Sequence, residues 1–243
     1  MLKKLSFSAL AMASAVSFAG TMGPVVQDSG YSFFIGGAAG IGMLQGDYTG
    51  YNPVNTDTHY ASLGDNSFIG GGLLGIQTVL ANNVYLALVG NVLYNSQDSV
   101  QRSSTGPSTN PVRNHDVTVS NDFQYGGNIR LGMKMGNATP YILGGVEAGK
   151  WELGLGNISS TWNRGIAPLS GINYSKTLTG GQAGAGILVA LNNNWNMGME
   201  YAHTWFGDVN VDLIDGVTAF RWNHKADIQQ DQVLFSLNYI FNA

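Results

Sequence analysis

Eight stretches of this chain alternate apolar and polar residues with a period of two: 31–44, 67–80, 84–96, 117–135, 141–153, 176–191, 195–206 and 227–241. That period puts successive side chains on opposite faces of an extended strand. Each stretch exceeds the roughly 9–11 residues that a tilted strand needs to cross a bilayer. Helix competes poorly, because glycine recurs inside almost every stretch and each one costs a helix about 1 kcal/mol. In the last stretch Val233, Phe235, Leu237, Tyr239 and Phe241 share one face, against Gln232, Leu234, Ser236 and Asn238. In the seventh, Trp195, Met197, Met199, Tyr201 and Trp205 oppose Asn196, Gly198, Glu200, Ala202 and Thr204. In the fourth, Tyr125, Ile129, Leu131, Met133 and Met135 oppose Gln124, Asn128, Arg130 and Lys134.

The connections carry a second pattern. Ala81-Asn82-Asn83, Gly136-Asn137-Ala138-Thr139 and Asn192-Asn193-Asn194 are short polar turns. Between them lie long polar connections at 45–66, 97–116, 154–175 and 207–226. Strict alternation of long and short puts all the long loops at one end of an up-and-down barrel, as in outer-membrane barrels with long outer loops and short periplasmic turns. The expected fold is all-β, an eight-stranded antiparallel transmembrane barrel with four long extracellular loops.

Period two alone does not say which face meets solvent, since a soluble lipocalin-type barrel turns its apolar face inward. Charge decides for lipid. Only 11% of the residues are charged, against about a quarter in a soluble domain. Past the N-terminus no run of about 18 apolar residues exists, so a helical span is excluded and a closed barrel remains. Aromatics at strand ends, namely Tyr31, Tyr85, Tyr94, Tyr141, Trp151, Trp195, Trp205 and Tyr239, are expected to form interface girdles.

At the N-terminus Lys3 and Lys4 precede an apolar run that ends in Ser17-Phe18-Ala19. This reads as a signal peptide over 1–19, followed by a short periplasmic segment at 20–30 and a barrel over 31–243. Its removal takes two lysines and leaves nine basic against fifteen acidic residues, a charge of about −6, which speaks against nucleic acid as a partner. Cysteine is absent, so neither a disulfide framework nor a lipid-bearing N-terminal cysteine is expected.

The leader, the eight strands, the four long loops and the final strand of alternating aromatics together resemble small outer-membrane barrels of the OmpA/OmpX and opacity-protein type. The resemblance covers essentially the whole mature chain and is architectural. It implies residence in the outer membrane among its lipids and lipopolysaccharide. It also implies that barrel-assembly machinery reads the last strand, here through Phe235, Tyr239 and Phe241, although Asn242 and Ala243 follow the terminal aromatic. The segment Ala19-Gly20-Thr21-Met22-Gly23-Pro24-Val25 resembles the mature start of Legionella-type outer-membrane proteins. No peptidoglycan-anchoring domain is expected after the barrel.

Four charges fall on the expected inner face: Arg130, Lys134, Glu147 and Glu200. On the lipid face near mid-membrane a charge would cost about 2–4 kcal/mol, so these line the lumen. Arg130–Glu147 is the expected pair, since their strands are neighbours. The bland role is a structural ion-pair network; the sharper one, which OmpA-type barrels allow, is a gate. The glycine clusters 36–42 and 180–186 are no phosphate loop, for no Lys-Ser/Thr follows and neither opens a helix. Strand curvature explains them. Asp208, Asn210 and Asp212 start like a calcium loop, but Leu213 and Ala219 stand where glycine and glutamate are required. His59, His115, His203 and His224 lack metal spacing, and His203 lacks the serine two positions on that lipid A deacylases pair with histidine. No catalytic residue, metal or cofactor is expected. The expected function is structural and adhesin-like, with loops contacting a host or surface ligand. The alternatives are a narrow porin-like channel for ions or small solutes and, less favoured, a lipid A-modifying enzyme.

Overall fold

A computed structural model describes residues 30–51, 58–102, 104–105, 116–156, 172–214 and 221–242. The leader, its cleavage site, the segment 19–25, His115, Ala219 and the centres of the four long connections lie outside these residues. Nine strands appear: β1 (Tyr31–Tyr51), β2 (Thr58–Val79), β3 (Val84–Arg102), β4 (Ser104–Thr105), β5 (Asp116–Met133), β6 (Ala138–Gly156), β7 (Ile172–Ala190), β8 (Trp195–Ile214) and β9 (Arg221–Asn242). The two-residue β4 pairs with the outer part of β2. The other eight form an antiparallel ring in chain order, closed where β1 pairs with both β2 and β9. The chain folds as a closed eight-stranded barrel, and among the described residues no helix is long and apolar enough to cross a membrane.

The short turns carry their own chemistry. Asn83 and Gly136 take left-handed backbone, each with φ 63°, where asparagine and glycine are the residues of lowest cost. In the third turn Asn192 Oδ1 accepts from the Asn194 and Trp195 amides at 2.8 and 2.9 Å.

The strands are longer than the sequence pattern suggested. The expected loops 45–66 and 207–226 are mostly strand: β1 runs to Tyr51, β2 starts at Thr58, β8 reaches Ile214 and β9 starts at Arg221. His59 and His224, expected in loops, are buried strand residues, as the outer parts of β2 and β9 carry them inward. Strands of 18–22 residues tilted by about 40° make a barrel roughly 50 Å tall, about twice the ~25 Å apolar band.

The outward face changes polarity from the lower to the upper half of the barrel. In the lower half the outward face is apolar, as in Ile35, Ile41, Leu88, Val92, Ile129, Ile142, Val146, Phe235 and Leu237, each more than 45% exposed. In the upper half apolar residues turn inward. Leu44, Tyr48, Leu63, Val117, Val119, Trp151, Leu153, Leu155, Leu178, Phe206, Val209 and Ile228 belong to one buried cluster, while Lys150, Glu152, Asp208 and Lys225 face out. The lower half is built for acyl chains and the upper half for water.

Bulges interrupt the ladder at three places. The ladder slips between Tyr94 and Gln97, Asn121 and Gln124, and Trp205 and Gly207. At the last of these Gly207 has φ 82°, a conformation in which a Cβ is disfavoured. The extra residue shifts parity, so Thr204 and Phe206 point in below it and Val209 and Val211 point in above it. Asp208, Asn210 and Asp212 therefore lie on the outward parity of a strand and form no loop.

Candidate functional site

The lumen is layered. At the periplasmic end a cavity of about 280 Å³ is lined by Gln77, Tyr85, Lys134, Asn137 and Asn196, among others. The sequence placed Lys134 in the lumen with Arg130; it stands at this mouth and forms no ion pair among the described residues.

Above the mouth lies a charged layer. Arg130, 3% exposed, sends Nη2 to Glu200 Oε2 at 2.7 Å. Tyr141 donates its hydroxyl to the same oxygen at 2.7 Å, and the Arg130 guanidinium lies 5.0 Å from the Tyr141 ring centroid. Arg130 Nε also donates to Asn128 Oδ1 at 3.3 Å. A cation–π contact and a charge-assisted bond thus share one guanidinium. The expected pair Arg130–Glu147 is not formed. Arg130 is level with Leu143 on β6, four residues below Glu147. It reaches β8 because Gly186 stands between Tyr141 and Glu200 without a side chain; a Cβ there would meet the Tyr141 hydroxyl at 2.5 Å.

Glu147, 1% exposed, leans the other way. Asn91 on β3, Gly126 on β5 and Glu147 on β6 are level in the ladder. Glu147 passes over Gly126 so that Oε1 accepts from Asn91 Nδ2 at 2.8 Å. Its Oε2 meets no donor.

An amide belt follows. Gln124 Nε2 donates across the barrel to Gln230 Oε1 at 2.6 Å. Ser67 bonds Asn95 and Gln97 at 2.8 and 3.0 Å, and Gln97 reaches Asp65 at 2.9 Å. Above it the apolar cluster closes the interior, with Trp151 edge-on to Phe206 at 5.1 Å between centroids and both Trp151 and Tyr48 fully buried. Tyr48 hydrogen-bonds His224 near the top, and burial holds its hydroxyl above the ordinary tyrosine value. On the outer wall Lys150 and Lys225 donate to the carboxylates of Glu152 and Asp208, which hold both ammonium groups above the ordinary lysine value.

Of the expected girdle, Tyr31, Tyr94, Trp195 and Trp205 are outward and exposed, and Tyr239 shares that face half-buried. Tyr85, Tyr141 and Trp151 do not belong to it. They are 3%, 5% and 0% exposed and point into the lumen. Their parity decides this, since Tyr141 and Trp151 are an even number of residues from Glu147 and share its face. The same parity was the available signal for Tyr85, Asn91 and Tyr141 as lumen partners. On β9, Phe235, Tyr239 and Phe241 share the outward face, and Phe241 pairs with Phe33 at the seam.

The outer wall also holds a polar knot. Asp231 accepts from Tyr201 at 2.6 Å, from His203 Nδ1 at 2.7 Å and from Gln45. His203 packs against Trp205 at 4.4 Å. Among the described residues no group of three or more His, Asp or Glu could hold a metal ion.

A family model described as "Outer membrane protein beta-barrel domain" matches residues 5–241. No curated protein matches. Among solved structures, OprG of Pseudomonas aeruginosa is similar at 12% identity, over 90% of this chain and 100% of its own, with TM-score 0.50. Neisserial surface protein A follows at 13% identity, over 86% and 98%, with TM-score 0.44. Ail of Yersinia pestis, in complex with the heparin analogue sucrose octasulfate, shares 14% identity over 84% and 99%, with TM-score 0.39. At 12% identity the likeness to OprG is one of fold alone.

Proposed function

Because the chain belongs to the outer-membrane β-barrel family and so resides in the outer membrane, we propose that it works at its outer end. It acts as a structural, surface-interacting barrel and not as an open conduit. One observation carries this reading: the upper lumen is filled by apolar side chains around Trp151, Phe206 and Tyr48. A path for ions would have to pass through that packed core. The upper wall presents Asn, Thr, Ser, Asp and Lys to water on a rigid sheet, and the four long connections extend from it. Polar loops on a fixed scaffold suit adaptable contact with a host or surface ligand. Lipopolysaccharide and lipids are the partners of the lower wall, and barrel-assembly machinery meets Phe235, Tyr239 and Phe241 on the closing strand.

The alternative is a narrow channel gated at the plug. The mouth cavity and the buried charges Arg130, Glu147 and Glu200 below the plug favour it. An enzymatic role is the weaker reading. His203 has Asp231 to orient it, but its partners across the ladder are Ala183 and Asp231, so no hydroxyl nucleophile faces it there.

Two measurements test the proposal. Refolded protein in a planar bilayer is expected to stay silent; steady conductance would replace surface interaction by transport. Intact protein is expected to bind host cells or matrix better than a variant with 106–115 and 157–171 shortened. Equal binding by the two would end the adhesin-like reading.

A further inference from the structure

The ring of main-chain ladders is complete only in the lower half. β2 pairs with β3 from Ile69–Asn95 down to Val79–Tyr85, and β7 pairs with β8 from Gly181–Trp205 down to Ala190–Asn196. The other neighbouring pairs keep their ladders to the top of the described strands. Both short ladders stop where a bulge begins, between Tyr94 and Gln97 on β3 and between Trp205 and Gly207 on β8. A bulge bends its strand, and above it β3 follows β5 and β8 follows β9. The upper half therefore divides into two four-stranded sheets, β3-β5-β6-β7 and β8-β9-β1-β2, which share the apolar cluster and meet at two seams.

The seams differ. Across the first, β3 side chains take β2 carbonyls: Ser96 Oγ donates to Phe68 O at 3.2 Å and Gln101 Nε2 to Gly64 O at 3.3 Å. Higher up, β4 pairs with His59 and Tyr60 and gives that edge a short strand. Across the second, a long side chain bridges the strands, Lys176 Nζ donating to Asp208 O at 3.4 Å. Among the described residues no ladder pair joins 172–180 to 206–214. Here β7 is exposed on both faces over 173–177, although Tyr174 and Lys176 share the parity of the buried Leu178. Asp208 turns its carbonyl to this seam, and Asn210, two residues on, directs its main-chain groups the same way.

β2 and β8 are the two edges of one sheet. An open strand edge is a template for another strand, and β4 shows the β2 edge accepting one. We propose that the β8 edge over 208–213 binds an extended segment of a partner protein outside the cell, which adds as a strand in the β7–β8 seam and displaces the Lys176 bridge. Main-chain bonds hold such a segment and the face it presents selects it. Its inward side chains meet Leu178, Phe206 and Val209 of the apolar cluster and its outward ones meet water, so the segment alternates apolar and polar residues. The site rests on the reading that the outer end meets partners, and it puts the contact on the wall below the loops.

The probe is a fluorescein-labelled peptide of about six alternating valines and threonines flanked by lysines, titrated into refolded protein in detergent. Its control has the same sequence with the main-chain nitrogens methylated, which keeps the side chains and removes the donors. The first is expected to bind saturably and the second more weakly by more than about tenfold. The Asn210 amide, read by NMR hydrogen exchange, should exchange fast in the free protein and slowly with the peptide. Asn210→Pro removes an edge-facing donor that the β8–β9 ladder does not use. It should keep the unfolding midpoint and lose the peptide; if it fails to fold, the methylated peptide still decides. Equal binding of the two peptides, binding of neither, or binding that survives Asn210→Pro would overturn the proposal. So would a slowly exchanging Asn210 amide in the free protein, which would mean that this chain already covers the edge. Peptide binding without binding to host cells or matrix would end the adhesin-like reading alone. Cell binding that depends on the long connections, with no peptide bound, would end the strand site alone.

Discussion

The contact between Arg130 and Glu200 makes a quantitative claim about which carboxylate the arginine needs. Both side chains are buried, at 3% and 9% exposure, and Glu200 Oε2 also accepts from Tyr141. Removing one member of such a pair leaves the other charge uncompensated and costs about 3–5 kcal/mol. Replacing both leaves no stranded charge, so the double variant should cost much less than the sum of the singles. Arg130→Met and Glu200→Gln are therefore expected to lower the unfolding midpoint by roughly 6–20 °C each, at ~2–4 °C per kcal/mol for a chain of this size. In the double variant coupling should recover about 2–3 kcal/mol. The assay is urea or thermal unfolding in lipid vesicles, followed by tryptophan fluorescence and by the migration of unboiled samples on gels. The control cycle pairs Arg130→Met with Glu147→Gln, and its coupling should stay below about 0.5 kcal/mol, as for sites without a shared partner. Additive losses in the first cycle, or strong coupling in the second, would refute the assignment and restore Arg130–Glu147.

Three other outcomes follow from the same geometry. Trp151→Ala should cost about 3–5 kcal/mol, read as a lower unfolding midpoint; a loss near zero would mean that the upper cluster is not packed. Ile129→Arg, on the lipid face of β5, should cost about 2–4 kcal/mol in vesicles, whereas Ser120→Arg, on the same face nine residues higher, should cost about 0–1. Equal penalties would place the membrane boundary elsewhere. Gly207→Ala should cost about 1–2 kcal/mol, because φ 82° is unfavourable for a residue with a Cβ, and a neutral effect by the same assay would remove the bulge from the account.

Much of the lower half was legible because one rule governs it. Apolar outward and polar inward at period two assigned the faces of β5, β8 and β9 correctly from residues such as Ile129, Met197 and Phe235. The upper half was not, for two physical reasons. Above the membrane the rule reverses, so Leu153 and Leu155 face in while Lys150 and Glu152 face out, and an eye set for one polarity takes the change as the end of a strand. The bulges then break the count. Val209 and Val211 fall out of phase with Thr204 unless Phe206–Gly207 is known to be irregular, and nothing in that dipeptide alone announces it. Trp151 faces in for a simpler reason: it is four residues from Glu147, and that parity outweighs its place near the end of a stretch. The Arg130–Glu200 contact spans three strand steps, from β5 to β8, and it depends on the bare backbone of Gly186, which spacing along the chain does not reveal.

The reversal of polarity also fixes how deep the barrel sits. A uniform cylinder could slide along the membrane normal at little cost, but the outward face of this one changes solvent preference part-way up, sharply on β8 and β9. On β9 the outward series runs Phe241, Tyr239, Leu237, Phe235, Val233 and then Asp231, Gln229, Asp227. On β8 it runs to Tyr201, His203 and Trp205 and continues as Asp208 and Asn210 beyond the bulge. Ten residues from Phe241 to Asp231 span about 25 Å along the normal, the height of the apolar band. Asp231 is thus held at the boundary, its oxygens taken up by Tyr201, His203 and Gln45 from β8 and β1. Sinking the barrel by one turn of the pleat would draw that carboxylate and its histidine toward acyl chains. Raising it would put Phe68, Phe123 and Val233 into the headgroups. The depth that satisfies both leaves the sealed half of the barrel standing in water, where its outer wall can be touched.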